Sequence, residues 1–283
     1  MRFGVREICN VVFKARTERK IGDVTFAKGA PVLYFDSLKT STMEQAVTTV
    51  YAQGGRGNTR LVAWEGEKTL TFTMEDALIS EMGLAILAGA NLYKADSTKG
   101  NTLIVHVTES IKTGTDKQIT VSKDVVDAQP AYVLALNDNG EIVGDPTSVK
   151  FTERKATVEE AGVYLVDYYT AIKENAYQID IEPETFGGNF YIEADTLFRD
   201  TDGDDHAAQF VIPNGKIQSN FTLSMASSGD PSTFTFTVDA FPGYVNGDQT
   251  KKVLSAIQIL GTENENGIDD AAGDDDTVTT IGD

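Results

Sequence analysis

One cysteine and two histidines in 283 residues leave the chain poor in the side chains that most often bind metals or act as nucleophiles. A single thiol excludes an internal disulfide framework. Cys9 stands among Ile8, Val11 and Val12, which reads as a small buried hydrophobe rather than a reactive group. His106 and His206 lie 100 residues apart with no second histidine or cysteine near either, so the spacing of a zinc site is missing. No apolar run approaches the ~18 residues of a membrane-spanning helix. The first residues lack the apolar core of a signal peptide, which sets the expectation of synthesis in the cytoplasm. Basic residues are also scarce: 24 Lys and Arg face 43 Asp and Glu, a net charge of -19. That balance argues against wrapping nucleic acid, which needs cations to displace counterions, and against binding an anionic membrane surface.

The charge is unevenly spread. Residues 261–283 hold eight acids and no base, leaving -11 for the rest. With so little apolar content, this acidic C-terminal tail is expected to be disordered and dispensable for folding. The remaining length suffices for one large domain or two smaller ones.

What is present is mostly alternation at period two. Phe221, Leu223 and Met225 alternate with Thr222 and Ser224. After Ser227-Ser228-Gly229-Asp230-Pro231, Phe234, Phe236 and Val238 alternate with Thr235 and Thr237. The pattern predicts a β-hairpin with an apolar face and a hydroxyl face. Leu70, Phe72 and Met74 repeat the pattern upstream, between Thr69, Thr71 and Thr73. Strands are expected at 32–35, 46–51, 60–64 and 69–73, the last two joined by a Glu65-Gly66 turn. The polar stretch 36–45 precedes the second of these strands. One helix of about four turns is expected from Thr73, with Asp76 completing an approximate capping box, Leu78, Met82 and Ala85 on one face, and Gly89 as its stop.

Between Tyr93 and Asn175 the texture changes to short strands at 102–107, 117–122, 130–136, 156–159 and 162–169, with Asn137-Asp138-Asn139-Gly140 as a turn. Residues 94–174 read as an inserted small β domain or as extra strands of one sheet. They separate a first part of a main β domain, 1–93, from a second part, 175–260. Later strands are expected at 178–181, 190–193, 210–212 and 253–260. No fixed period recurs, so solenoids and propellers are unsupported.

Chemistry is harder to find. Gly54-Gly55-Arg56-Gly57-Asn58 lacks the Gly-Lys-Ser/Thr ending of a phosphate loop and leads into a strand instead of a helix. It reads as a loop tip, with Arg56 and Arg60 suited to a neighbouring subunit's carboxylates. Asp200, Asp202, Asp204 and Asp205 surround Gly203, but the glycine falls at the fourth position, where a calcium loop needs it at the sixth. A solvated turn is the reading there. No Gly-x-Ser-x-Gly elbow occurs. No catalytic residue, cofactor or metal is expected, and the chain is not expected to be an enzyme.

Four stretches resemble the major tail tube proteins of long-tailed bacteriophages. The first runs from Tyr51 to Asn58, with Leu61 and Trp64. The second spans Lys68 to Leu87 and includes Thr73-Met74-Glu75-Asp76-Ala77-Leu78. The third covers Ile212-Pro213 through Met225, and the fourth Gly229-Asp230-Pro231-Ser232 through Asp239-Ala240-Phe241-Pro242. Together they cover the first 90 residues and about 178–260. The resemblance implies an antiparallel β-sandwich or barrel with one flanking α-helix. It also implies a homo-oligomer of stacked, usually hexameric rings in the virion tail. Its partners would be a tape-measure protein, tail terminator or baseplate proteins, a sheath in contractile tails, and double-stranded DNA in transient passage. A protruding inter-subunit loop would map to about 36–60, with Tyr51, Gly54, Gly55, Arg56, Gly57, Asn58 and Arg60 as its candidate contact residues. The rival readings are a non-catalytic surface adhesin and another virion protein, such as a capsid decoration or tail adaptor.

Overall fold

The computed structural model describes residues 2–225, 227–228, 232–245 and 247–260. The acidic tail and part of the Ser227 to Pro231 turn lie outside the described residues. The described chain divides into two compact units: residues up to Ala90 together with those from Ile181 onward, and Asn91–Asp180.

The strands are β1 (Phe3–Val5), β2 (Asn10–Ala15), β3 (Arg19–Ile21), β4 (Val24–Phe26), β5 (Pro31–Phe35), β6 (Leu38–Gly54) and β7 (Thr59–Asp76). The helix α1 (Glu81–Ala88) follows. Next come β8 (Asn91–Lys94), β9 (Leu103–Lys112), β10 (Gln118–Thr120), β11 (Tyr132–Leu136), β12 (Ile142–Ser148), β13 (Lys155–Thr157), β14 (Val163–Ile172) and β15 (Tyr177–Asp180). The last are β16 (Asn189–Asp200), β17 (Asp205–Ile217), β18 (Phe234–Ala240) and β19 (Ala256–Ile259).

The first unit is built on an antiparallel sheet ordered β5-β2-β16-β17-β18-β7-β6, with β1 added to β16 and β19 to β17. The sheet curls over its own apolar face without closing into a barrel. Phe35 at one edge meets Phe236 on β18 with ring centroids 4.9 Å apart, while Phe13 packs edge-on against Phe35 and Phe190. Alternation places Val11 and Phe13 of β2, Phe190, Ile192 and Ala194 of β16, and Phe72 and Met74 of β7 inside this core. The mainly β, sandwich-like architecture with one flanking helix is the one the sequence predicts.

The two threonine-laced stretches turn out to be neighbours. Phe236 lies opposite Met74, Thr237 opposite Thr73 and Val238 opposite Phe72. The hairpin predicted within 221–238 forms only in its second arm. β18 pairs with the end of β17 from Gly215 to Ile217, and Gln218 adds one bond to the Thr237 carbonyl at 2.8 Å. After that the chain leaves the ladder, and residues 221–225 are not a strand. β7 holds one edge of β18 over Thr71–Asp76, while on the other edge the ladder with β17 ends at Val238 and Gln218, short of the alternating segment.

The helix is shorter than predicted. Thr73 to Asp76 continue β7, and the cap is Ser80, whose Oγ accepts the Gly83 N–H at 3.0 Å. Pairing with β6 and β18 on both sides outweighs the local capping signal. The buried Asp76 ends the strand by accepting bonds from Ser37 Oγ at 2.7 Å and the Leu78 N–H at 3.2 Å. Gly89 stops the helix as expected. It is left-handed (φ 64°), and an added Cβ would stand 2.5 Å from the Gly187 nitrogen.

The second unit has its own core, with Ile119, Val133, Val166 and Tyr168 among its members. It contains a four-stranded sheet, β12-β11-β14-β9, and a β10-β13 pair. Its first and last strands, β8 and β15, pair antiparallel from Asn91 opposite Asp180 to Lys94 opposite Tyr177. Both ends of the unit are therefore held side by side. Tyr168 donates to Glu109 Oε1 at 2.5 Å, and Ser122 donates to the same carboxylate from its N–H and its hydroxyl. Burial would raise the Glu109 pKa, but these hydrogen bonds outweigh it and hold the group below the usual glutamate value.

Candidate assembly surface

β6 and β7 are far longer than any sheet partner needs. Their inner halves bury Leu70, Phe72 and Met74, whereas from Glu44 to Thr69 nearly every residue is exposed on both faces. This outer half is a two-stranded ribbon that leaves the core and turns back at Gly55–Asn58. The predicted turn at Glu65-Gly66 is instead a bulge within β7. Two residues of β7, Gly66 and Glu67, stand opposite one of β6, Thr48, between the Val47–Lys68 and Thr49–Glu65 pairs. Thr48 Oγ1 accepts the Glu67 N–H there at 2.8 Å, and a Cβ on Gly66 would meet that oxygen at 2.6 Å. The polar stretch 36–45 belongs largely to β6, not to a loop.

All seven residues predicted for the inter-subunit loop lie in the outer part of this ribbon. Gly55 and Gly57 are left-handed (φ 78° and 94°), as is Asn58 (φ 49°), and the Asn58 N–H closes the turn on the Gly55 carbonyl at 3.1 Å. Asn58 Nδ2 also donates to Gln53 Oε1 at 3.3 Å. A second bulge, at Leu61, brings Arg60 opposite Gln53 and onto the face of Tyr51, where its guanidinium stands 4.0 Å over the ring. Arg56 projects at the tip and makes no ion pair among the described residues.

The more telling side chains were not among the predicted contact residues. Val50 lies opposite Trp64 and Ala52 opposite Val62, so the four share one face. Val50, Val62 and Trp64 are 64%, 49% and 56% exposed, and Leu61 at the bulge is 66% exposed. An isolated two-stranded ribbon is marginal in water. A ribbon that also shows aromatic and aliphatic side chains has the make-up of a surface built to be covered.

Elsewhere the titratable clusters are structural. Asp200 Oδ1 accepts the N–H groups of Asp202 and Asp204 at 2.9 and 3.0 Å, and its Oδ2 accepts a hydrogen bond from His206 Nε2 at 3.0 Å. The His206 bond first, then these backbone bonds, hold the Asp200 pKa below the carboxylate norm. Arg199 grips Asp205 with two bonds of 2.6 Å. No group of three or more potential metal ligands occurs among the described residues. Cys9 is buried, and burial pushes its thiol pKa up.

The sequence model of the YomU/Tube protein family matches residues 19–255. The chain belongs to the YomU/Tube protein family. Its role is that of a structural, non-catalytic tail-tube protein of the virion, one that assembles with other phage tail components. No curated protein matches the sequence. No helix among the described residues is long and apolar enough to cross a membrane.

Proposed function

We propose that copies of this chain form rings, hexameric as in the tail tubes it resembles, and that the β6–β7 ribbon of each copy stacks one ring on the next. The observation that carries this reading is the ribbon itself: about 26 residues long, exposed on both faces, and tipped by Val50, Leu61, Val62 and Trp64. In this reading Tyr51, Gly54, Gly55, Arg56, Gly57, Asn58 and Arg60 form the contact tip. The rings enclose the tape-measure protein during assembly and later pass double-stranded DNA. Terminator and baseplate proteins cap the ends of the tube. A chain with 43 acids against 24 bases gives a bore that repels the phosphate backbone, so DNA slides instead of sticking. The virion tail is the proposed site of residence, and residues 94–174 are proposed as a decoration inserted into the tube domain.

Deletion of Gly54 to Asn58 tests the stacking role. The shortened protein is expected to fold and to form no tubes in negative-stain electron microscopy. Normal tubes from the deleted protein would overturn the reading.

A further inference from the structure

An apolar groove of about 500 Å³ opens beside the root of the ribbon. Phe3 and Val5 of β1 wall it together with Met43, Phe198, Phe210 and Ile257, and Glu7 is its one charged lining residue. Phe3, Val5 and Ile257 are 45%, 59% and 58% exposed, so the described residues leave this part of the core uncovered. The ribbon of the same copy does not cover it. Gln45 also lines the groove, and the nine residues from there to Gly54 carry the tip ~30 Å away at ~3.3 Å per residue.

Charge points to what covers it. From Gln45 to Trp64 the outer ribbon holds Arg56 and Arg60 and no acid, and the ribbon's three acids, Glu44, Glu65 and Glu67, stand at its root. Phe3 pairs with Asp200, which places the acidic β16–β17 turn at one end of the groove. In that turn Asp200 engages His206 and Asp205 engages Arg199. Asp202 and Asp204 form no ion pair among the described residues. An apolar knob beside an unpaired arginine thus matches an apolar groove beside two unpaired carboxylates.

We propose that the groove at the root of the ribbon receives the ribbon of a second copy of this chain, with the Val50, Val62 and Trp64 face seated against Phe3, Val5 and Ile257 and Arg56 meeting Asp202 and Asp204. This rests on the reading of the ribbon as the stacking element and names the surface it stacks on. The contact is head-to-tail, so each copy offers one knob and one groove, the growing series always ends in one of each, and it does not close along the stacking direction.

The test is site-directed cross-linking in a Cys9→Ser background. Copies carrying Val62→Cys are mixed with copies carrying Val5→Cys, or with copies carrying Tyr34→Cys on the exposed edge strand β5, and treated with a short bismaleimide. Covalent dimers from the Val62 and Val5 pair, confined to assembled material, are the expected result. Tubes in which the Val62 thiol joins the Tyr34 position and not the Val5 position would overturn the groove assignment and leave the stacking reading intact. Absence of any assembly by wild-type protein would overturn both. Equal shielding of the Val5→Cys thiol in dilute monomer and in tubes would mean that the chain's own residues fill the groove, which also refutes the proposal. As an independent readout, Arg56→Glu is expected to raise the concentration needed for assembly at least about tenfold. Adding Asp202→Lys and Asp204→Lys to Arg56→Glu should restore it, and failure to restore it counts against the ion pair.

Discussion

Replacing Trp64 with alanine separates the stability of the subunit from the stability of its assemblies. Trp64 is 56% exposed in the single chain and lies opposite Val50 on the ribbon. Truncating it should therefore change the unfolding free energy by no more than about 0.5–1 kcal/mol, as for exposed positions and single cross-strand pairs. Assembly is another matter. A tryptophan presents up to ~250 Å², so the exposed portion leaves ~140 Å² to be covered by a partner. At about 25 cal/mol per Å² this is worth ~3.5 kcal/mol per contact, within the range of interface hot spots. With 1.4 kcal/mol per factor of ten, the critical concentration for assembly should rise roughly 300-fold. Pelleting across a dilution series measures that concentration, and urea denaturation of the dilute protein measures subunit stability. Trp64 is the only tryptophan, so a blue shift of wild-type emission on assembly reports its burial directly. An assembly threshold within threefold of wild type for Trp64→Ala, with no blue shift in the wild type, would refute the argument.

The bulge offers a different perturbation. Gly66→Ala places a methyl 2.6 Å from Thr48 Oγ1, so the Thr48–Glu67 bonds must break or the register must slip. Limited proteolysis should cut the ribbon of this variant faster while the core melts nearly unchanged, and an unaltered cleavage rate would contradict the tight approach. In the second unit, the folded-state pKa of Glu109 lies below its unfolded value of about 4.3. Its contribution is therefore fully present above that value and is lost as pH falls through the folded one. Glu109→Gln should cost about 1 kcal/mol at neutral pH, the range for charged hydrogen bonds discounted for its partial exposure. It should also flatten the fall in melting temperature below pH 5. Parallel pH profiles for wild type and variant would show that the Tyr168 and Ser122 bonds do not stabilise the fold.

The period-two alternation of Leu70, Phe72 and Met74 and of Phe234, Phe236 and Val238 was legible because a strand half-buried in a sandwich repeats its apolar contacts every second residue. The stop at Gly89 was legible because a left-handed residue has few chemical solutions. The start of the helix was not. Thr73 and Asp76 carry a capping signal, but the choice between capping a helix and extending a strand was made by β6 and β18 on either side. Alternation at 221–225 was equally misleading, since it states that a segment can be a strand, whereas the chain leaves the β18 ladder after Gln218. The ribbon was located as a loop because Gly54 to Asn58 is glycine-rich. Its apolar face is not legible in the sequence because Val50 and Trp64 become neighbours only through pairing, and the bulge at Gly66 and Thr48 is a feature of register.

Taken alone, the amino-acid sequence determined composition-level properties: an acidic chain without disulfides, a mainly β fold, and the likeness to tail tubes carried by four ordered stretches. These depend on local periodicity and bulk charge, which need no knowledge of partners. Tertiary structure decided which threonine-laced strands meet, where the helix begins, and that the outer halves of β6 and β7 leave the core as a ribbon with an uncovered groove at its root. Those outcomes turn on which hydrogen-bonding edges are still free once the rest of the sheet has formed, and residues distant in sequence set that competition.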